Sequence, residues 1–303
     1  MPPPAALLPA ARTAILAWYA QRGRPLAFRR TTDPYAILVS EAMAQQTQAA
    51  RAAVFWERFM VRFPTVGDLA AASPADVLRM WAGLGYDRRA LALWRTARVI
   101  VGEHQGRVPD TVAALQALPG VGPYTARAVA ALAYGVPVGA VDVNVRRVLG
   151  RIVAGSVDAL TPAETQALAD RAVPLDAPGA WTHALMDIGA TICKPRTPDC
   201  ERCPAAAWCR FADARGSKLA APPRARAVRE PAAPFTTTNR WLRGRILDRL
   251  RAEADGAWVA LDGPIGVHAR PAVRGDARQL GSDGLIELAP ATGESIRARL
   301  PLA

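Results

Sequence analysis

Apolar residues recur every three to four positions along most of the chain, and this spacing predicts helices. Residues 11–212 form a succession of amphipathic segments separated by proline or glycine turns, with little of the alternation that strands require. One helix is predicted from Pro34 to Gln48 and the next from Ala49 to Phe63. The second carries an aromatic stripe whose spacing favours core packing. This stripe consists of Phe55, Trp56, Phe59 and Met60. Ser73 followed by Pro74 is typical of a further helix start.

The pattern changes near the C-terminus. Residues 220–235 are rich in alanine, proline and arginine, cannot form a core and are predicted to be a linker. Beyond them, Asn239–Arg251 has helical spacing, with Thr238 or Asn239 as its cap. Two apolar stretches, 285–288 and 295–300, flank the glycine turn at Gly293 and predict a short hairpin. A helix followed by a hairpin is compatible with a small winged-helix module.

We therefore expect a mainly α-helical protein with a second, smaller module. The predicted divisions are a helical domain over 1–219, a linker over 220–235 and a C-terminal module over 236–303.

Charge and composition narrow the function classes. The formal charge is +12 and the pI is about 10.6, which favours a polyanionic partner, although arginine-rich codon usage would give the same charge. No apolar run reaches the roughly 18 residues that a membrane span needs, and the first residues lack the pattern of a secretory signal. We expect a cytoplasmic protein without a membrane partner.

A glycine-rich segment, 118–126, is the first candidate for chemistry. It reads Leu-Pro-Gly-Val-Gly-Pro-Tyr-Thr-Ala and leads directly into a helical run. Two glycines just before a helix let the backbone turn tightly and direct N–H groups at a phosphate. The alternative is an ordinary helix–turn–helix corner.

All the cysteines fall within 17 positions, at Cys193, Cys200, Cys203 and Cys209. A disulfide framework would be spread through the fold, so clustering indicates a metal site. Four thiolates in so short a loop can hold either a tetrahedral zinc ion or a cubane iron–sulfur cluster. The spacing alone leaves both open.

Glu41 is the third candidate, because it stands among apolar residues on the helix predicted from Pro34. A carboxyl group held against apolar surface has a raised pKa and can act as a general acid. A solvent-facing glutamate on an amphipathic helix is the alternative.

Together these segments resemble the helix-hairpin-helix base-excision DNA glycosylases, over about residues 14–212. The resemblance is carried by the 118–126 segment, by Val-Asp-Val-Asn-Val-Arg-Arg-Val at 141–148, by Ser-Glu-Ala-Met-Ala-Gln-Gln-Thr-Gln at 40–48 and by the cysteine spacing. It implies a [4Fe-4S] cluster on the four cysteines, within a loop over 193–209. It also implies that the chain binds double-stranded DNA containing a mismatch.

The resemblance assigns a role to each matching residue. Glu41 matches the catalytic acid of MutY-type enzymes, and Asp142 matches an aspartate at the mouth of the base pocket. An N-cap is the alternative, compatible role for Asp142. Tyr124 occupies the position where bifunctional endonuclease III types carry a Schiff-base lysine, which implies a monofunctional hydrolase. Asn144 and Tyr124 would orient Asp142 and the sugar.

The remaining implied residues contact DNA. They are Gln45, Gln46, Tyr86, Gly120, Val121, Gly122 and Thr125. Tyr86 would wedge the strand, with core packing as its alternative. Asp87 departs from the family, where a second tyrosine is common. No Nudix-like reader of 8-oxoguanine is evident after the linker, and the isolated His268 is interpreted as a surface or packing residue.

We therefore expect a monomeric, nucleoid-associated repair enzyme that removes adenine mispaired with 8-oxoguanine or guanine. A glycosylase for another mismatched or deaminated base and a non-catalytic iron–sulfur DNA-binding protein are the two alternatives. Glu41 and Asp142 together favour an enzyme, because a binding module needs no pair of pocket carboxylates.

Overall fold

The computed structural model describes residues 6–216, 233–290 and 295–302. The α-helices in these residues are, in chain order, α1 (Pro9–Arg22), α2 (Pro34–Ala44), α3 (Ala49–Arg62), α4 (Val66–Ala71), α5 (Pro74–Met80), α6 (Arg88–Glu103), α7 (Val112–Ala117), α8 (Pro123–Ala133), α9 (Val143–Ala154), α10 (Pro162–Ala172), α11 (Pro178–Asp187), α12 (Arg210–Gly216), α13 (Asn239–Arg251) and α14 (Arg270–Ser282). Short 3-10 turns lie at Ala27–Arg29, Cys200–Arg202, Ala206–Trp208 and Phe235–Thr237, and a π-helical turn spans Ile188–Ile192. The strands are β1 (Val259–Ala260), β2 (Glu287–Leu288) and β3 (Arg297–Arg299). The mainly helical class is confirmed.

The chain forms two compact units, each built from two stretches of sequence. The first comprises 1–41 and 108–225, and the second comprises 42–107 and 226–303. The C-terminal module is thus grouped with α3–α6 rather than standing apart. The predicted linker over 220–235 lies almost entirely outside the described residues, and the predicted domain boundaries stay a prediction.

The core of the first unit is built around α9 and α11. Trp181 and Leu185 of α11 pack in one buried cluster with Leu149 of α9 and Ile15 of α1. A helix over Val143–Ala154 follows from sequence because Asp142 caps its start and Gly155, with φ of +79°, ends it. Val145, in the first turn of α9, belongs to the same cluster, so this core holds the start of α9 in place.

Local signals account for several helix boundaries. Ser73 accepts a hydrogen bond from the backbone N–H of Asp76 as predicted, and Thr238 rather than Asn239 caps α13. The predicted end of α2 at Gln48 is wrong, since the helix ends at Ala44. Gln46 has φ of +54°, a left-handed conformation that an α-helix cannot contain.

The C-terminal module contains the predicted hairpin and one strand that the sequence pattern missed. Strand β3 pairs antiparallel with β2 and also with β1, giving the order β1-β3-β2. The described elements of the module follow the order helix–strand–helix–strand–strand, and the winged-helix module stays a prediction. His268 is buried, stacks on Trp241 and lies 3.0 Å from the carbonyl oxygen of Thr236, which confirms a packing role.

None of the described helices combines the length and apolar character that crossing a membrane requires.

Candidate functional site

Three buried or half-buried side chains meet in the first unit, at the starts of α8 and α9 and on α2. Glu41 is only 7% exposed and hydrogen-bonds to the phenol of Tyr124. The carboxylate of Asp142 lies close enough to act electrostatically on both residues. The solvent-facing alternative for Glu41 is therefore wrong.

The environment of Glu41 changes its protonation. Burial is the main cause that raises its pKa to about 7. The hydrogen bond with Tyr124 lowers the pKa, whereas the nearby negative charge of Asp142 raises it further. Glu41 consequently holds a proton over much of the range below neutral pH.

Tyr124 remains a neutral phenol beside this acid. Burial and the neighbouring carboxylates of Glu41 and Asp142 raise its pKa well above the ordinary value. The hydroxyl group lies 3.7 Å from the sulfur of Met186 on α11. Tyr124 can donate a hydrogen bond at this site but cannot form an imine.

Asp142 is held rigidly at the first turn of α9. Its Oδ1 accepts hydrogen bonds from the backbone N–H groups of Asn144, at 2.9 Å, and Val145, at 2.7 Å. Its Oδ2 accepts from Nδ2 of Asn144 at 2.8 Å. The N-cap role is confirmed, and the capping bonds also fix the direction of the carboxylate.

Arg147 extends this network, although sequence reasoning did not single it out. Its guanidinium donates to Oδ1 of Asn144, at 2.8 Å, and to the backbone carbonyls of Gly189 and Cys193, both at 2.7 Å. A Cβ on Gly189 would lie 2.5 Å from the Cβ of Asn144, so only glycine fits there. The sequence could have pointed to Arg147, because this residue lies within the 141–148 segment that carries the family resemblance.

The four cysteines line one pocket. Apolar side chains from α9 and from the π-helical turn, including Ile152 and Ile192, form part of its wall. Burial raises the pKa of the Cys203 thiol to about 11, and the other three cysteines add to that shift. No group of three or more histidine, cysteine or acidic side chains among the described residues is arranged to hold a single metal ion. Four thiol sulfurs that line one pocket are a donor set able to ligate a metal centre.

Arg151 ties this cysteine loop to α9. It donates to the backbone carbonyls of Lys194 and Pro195, each at 2.8 Å, and approaches the sulfur of Cys193 at 3.4 Å. Arg147, one helical turn earlier, holds the same loop through Cys193. Two buried arginines on one face of α9 therefore position the loop.

The predicted hairpin turn lies between α7 and α8. Gly120 has φ of +74°, which favours glycine, and Gly122 stands at the N-cap of α8, which receives no side-chain capping hydrogen bond. Val121 and Thr125 are buried.

Two further predicted DNA contacts lie on turns of the second unit. Gln46 and Tyr86 are both exposed and have φ of +54° and +52°. Non-glycine residues rarely adopt this conformation, and such strain is concentrated at functional sites. Gln45 is half-buried on the same turn as Gln46. Core packing as the alternative for Tyr86 is wrong, because its side chain is 42% exposed.

Comparisons with known proteins identify the family of the chain. The HhH-GPD superfamily of base excision DNA repair proteins matches residues 39–174. An adenine DNA glycosylase of Mycobacterium tuberculosis (strain CDC 1551 / Oshkosh) is 44% identical over 259 residues, covering 82% of this chain and 83% of the relative. An adenine DNA glycosylase of Homo sapiens is 42% identical over 211 residues, covering 66% of this chain and 39% of the relative.

Solved structures give the same fold. A thermostable thymine-DNA glycosylase superposes with a TM-score of 0.63 at 32% identity, covering 67% of this chain and 94% of that chain. An endonuclease III solved with DNA superposes with a TM-score of 0.59 at 24% identity, covering 68% and 95%, which supports the fold alone. The chain therefore belongs to the HhH-GPD superfamily of base excision DNA repair proteins and, within it, to the adenine DNA glycosylase family.

Proposed function

We propose that this protein is a monofunctional adenine DNA glycosylase, which hydrolyses the N-glycosidic bond of adenine mispaired with 8-oxoguanine or guanine. The observation that carries the proposal is the buried Glu41, with a pKa of about 7, hydrogen-bonded to Tyr124 and close to Asp142. Glycoside hydrolysis needs an acid for the leaving group and a second carboxylate for the sugar. Family membership indicates that the excised nucleobase is adenine, since relatives named adenine DNA glycosylase share up to 44% identity with this chain.

In the proposed reaction Glu41 donates its proton to N7 of the extruded adenine. The bond between C1′ and N9 then breaks and leaves positive charge on the sugar, which the carboxylate of Asp142 stabilises. Glu41, now ionised, accepts a proton from water as the water oxygen bonds to C1′. The products are free adenine and an abasic site, and Glu41 ends protonated.

Tyr124 and Asn144 position these groups. Asn144 donates to Oδ2 of Asp142 and accepts from Arg147, so both ends of its amide are fixed. The Tyr124 phenol contacts Glu41 and provides no amine, which supports hydrolysis without strand cleavage. Extrusion of the adenine costs a few kcal/mol and is easiest at a mismatch.

DNA binding would use the hairpin and the two strained turns. The glycine turn at Gly120–Gly122 leads into the N-terminus of α8, whose positive dipole end suits a phosphate, and Gln45, Gln46 and Tyr86 would probe the strand. We expect a monomer associated with nucleoid DNA, because acting on one extruded base needs one copy.

The cysteine loop is proposed to hold a [4Fe-4S] cluster through Cys193, Cys200, Cys203 and Cys209. The cluster would cross-link the loop and hold its shape. Lys194, Arg196 and Arg210 are exposed around it and suit phosphate contacts. Anaerobic purification should give a brown protein absorbing at roughly 400 nm, whereas a colourless protein with one zinc per chain would refute the cluster.

The test of the activity is a single-turnover assay on labelled duplexes followed by alkali. The duplexes contain A opposite 8-oxoguanine, A opposite G, T opposite G, and hypoxanthine opposite T. Release of adenine alone supports the proposal. Release of thymine or hypoxanthine instead would favour a glycosylase for another mismatched or deaminated base. Binding without any release would favour a non-catalytic DNA-binding protein.

Two variants test the residue roles. Glu41→Gln should bind mismatched duplex but release adenine at least about 100-fold more slowly, as expected for loss of a general acid. Asp142→Asn should lose a similar factor while keeping the α9 cap, since an amide oxygen can still accept from the two backbone N–H groups. Glu57→Gln, on the exposed side of α3, is the matched control. Near-normal release by either site variant would remove that residue from the mechanism.

A further inference from the structure

Three arginine side chains surround the turn at residues 83–86 in the second unit. Arg51 of α3 donates to the carbonyl oxygen of Gly83 at 2.6 Å. Arg89 of α6 donates to the carbonyl oxygen of Gly85 at 2.9 Å. The guanidinium of Arg240, on α13, lies 4.5 Å from the ring centroid of Tyr86. The C-terminal module thus places a charged group directly on this turn.

The positive charge at the turn is not neutralised by described carboxylates. Neither Arg51, Arg89 nor Arg240 forms an ion pair with an acidic residue of the described chain. Asp87, which adjoins the turn, is ion-paired with Arg251 of α13, and both side chains are largely buried. Asp87, the acidic residue next to the turn in sequence, is therefore already paired with another arginine, and the turn carries net positive charge.

Arg240 reaches Tyr86 because other residues dock the C-terminal module. Arg251 pairs with Asp87 and donates to the carbonyl oxygen of Leu78 at 3.1 Å. Asp283 at the end of α14 is shared by Arg88 and Arg243. Arg240 takes part in none of these pairs. Its position is therefore supported by ion pairs in which it takes no part.

The exposure of Arg240 leaves its N–H groups available. The side chain is exposed, and the Tyr86 ring beneath it is 42% exposed. A guanidinium stacked on an aromatic ring keeps its planar set of donors pointing outward. Such a group suits an acceptor pair, either phosphate oxygens or the Hoogsteen edge of a guanine-type base.

We propose that Arg240 binds DNA at the step that Tyr86 probes, so that the C-terminal module contributes directly to the DNA-binding surface. The proposal rests on the proposed function only for the role of Tyr86. Asp87 stands where the family commonly has a second tyrosine. In this chain Asp87 instead pairs with Arg251 and so helps to dock the C-terminal module.

The test measures duplex affinity by fluorescence anisotropy for the full chain and three variants. Arg240→Gln removes the charge, Arg240→Lys keeps the charge but not the planar donors, and Arg249→Gln removes an exposed, unpaired arginine from the same helix of the described chain. The duplexes contain A opposite 8-oxoguanine, A opposite G, and only normal pairs. Arg240→Gln should weaken binding about five-fold or more, with Arg240→Lys intermediate and Arg249→Gln unchanged.

The pattern across duplexes identifies the ligand. A phosphate contact predicts equal loss on all three duplexes and a salt-dependence slope lower by about one. A base contact predicts loss confined to duplexes with 8-oxoguanine or G opposite A. Affinities of Arg240→Gln that match those of Arg249→Gln would overturn the proposal. So would equal losses in Arg240→Gln and Arg240→Lys together with lowered thermal midpoints, because that result assigns Arg240 a structural role.

Failure of the proposed function would be distinguishable. A wild-type chain that binds duplexes but releases no adenine would refute the glycosylase activity, while the anisotropy comparison would still test Arg240.

Discussion

The burial of Glu41 should make the protein less stable as the pH rises through neutrality. In the unfolded chain this carboxyl group titrates at its ordinary pKa, 4.5, whereas in the folded protein its pKa is about 7. Between these values the folded state binds a proton that the unfolded state has released. The free energy of unfolding therefore falls with increasing pH across this window.

The magnitude follows from the two pKa values. The full penalty above pH 7 is about 3 kcal/mol, from 1.36 kcal/mol for each pKa unit. At about pH 5.5 the penalty is only about 1 kcal/mol, because this pH lies only about one unit above the pKa of the unfolded chain. Between about pH 5.5 and pH 8.5 the penalty should grow by about 2 kcal/mol.

Glu41→Gln isolates this effect, since the amide resembles the protonated acid and does not titrate. Urea unfolding of the wild type and the variant under anaerobic conditions gives their difference in free energy at each pH. Contributions from other titrating groups and from the cysteine loop cancel in that difference. The advantage of the variant should increase by about 2 kcal/mol from about pH 5.5 to pH 8.5.

A difference that stays constant with pH would refute the reasoning, because it would mean that Glu41 titrates alike in both states. The exposed control Glu57→Gln should show no such trend. The adenine-release rate of the wild type should also fall above about pH 7, where Glu41 loses the proton that it donates.

Three further changes have defined expectations. Cys203→Ala should abolish absorbance at roughly 400 nm in anaerobically purified protein, and an unchanged spectrum would remove this cysteine from the ligand set. Asp187→Asn should lower the free energy of unfolding by about 3 kcal/mol, because Asp187 is fully buried and its carboxylate accepts from Arg24 and Arg29 at 2.6–2.9 Å. Burial alone would raise the pKa of Asp187, but these two arginines lower it, so urea unfolding at low pH should show a smaller difference; equal differences at all pH values would contradict the pairing. Arg89 donates to the backbone carbonyls of Ala42 and Met43 at the end of α2 and of Gly85 in the turn at 83–86. Arg89→Met should therefore lower the free energy of unfolding by about 3 kcal/mol and weaken binding to mismatched duplex. Wild-type affinity in this variant would show that both segments keep their shape without Arg89.

The sequence by itself determined most of the helices and the chemistry of the site. Helical spacing, Pro74, Asp142 and the glycines of the hairpin are local signals, because capping bonds and left-handed turns depend on residues only a few positions apart. The resemblance over 40–48, 118–126 and 141–148 likewise identified the residues that the fold brings together at Glu41.

Tertiary structure alone decided which long-range partners these residues have. The pKa of Glu41 depends on burial and on Tyr124 and Asp142, which lie about a hundred residues away along the chain, so no local pattern could give it. The partners of Arg147 and Arg151 were likewise decided by the packing of α9 against the cysteine loop. The reason is physical: helix starts are set by neighbours in sequence, whereas desolvation and ion pairing are set by whatever the fold packs against a group.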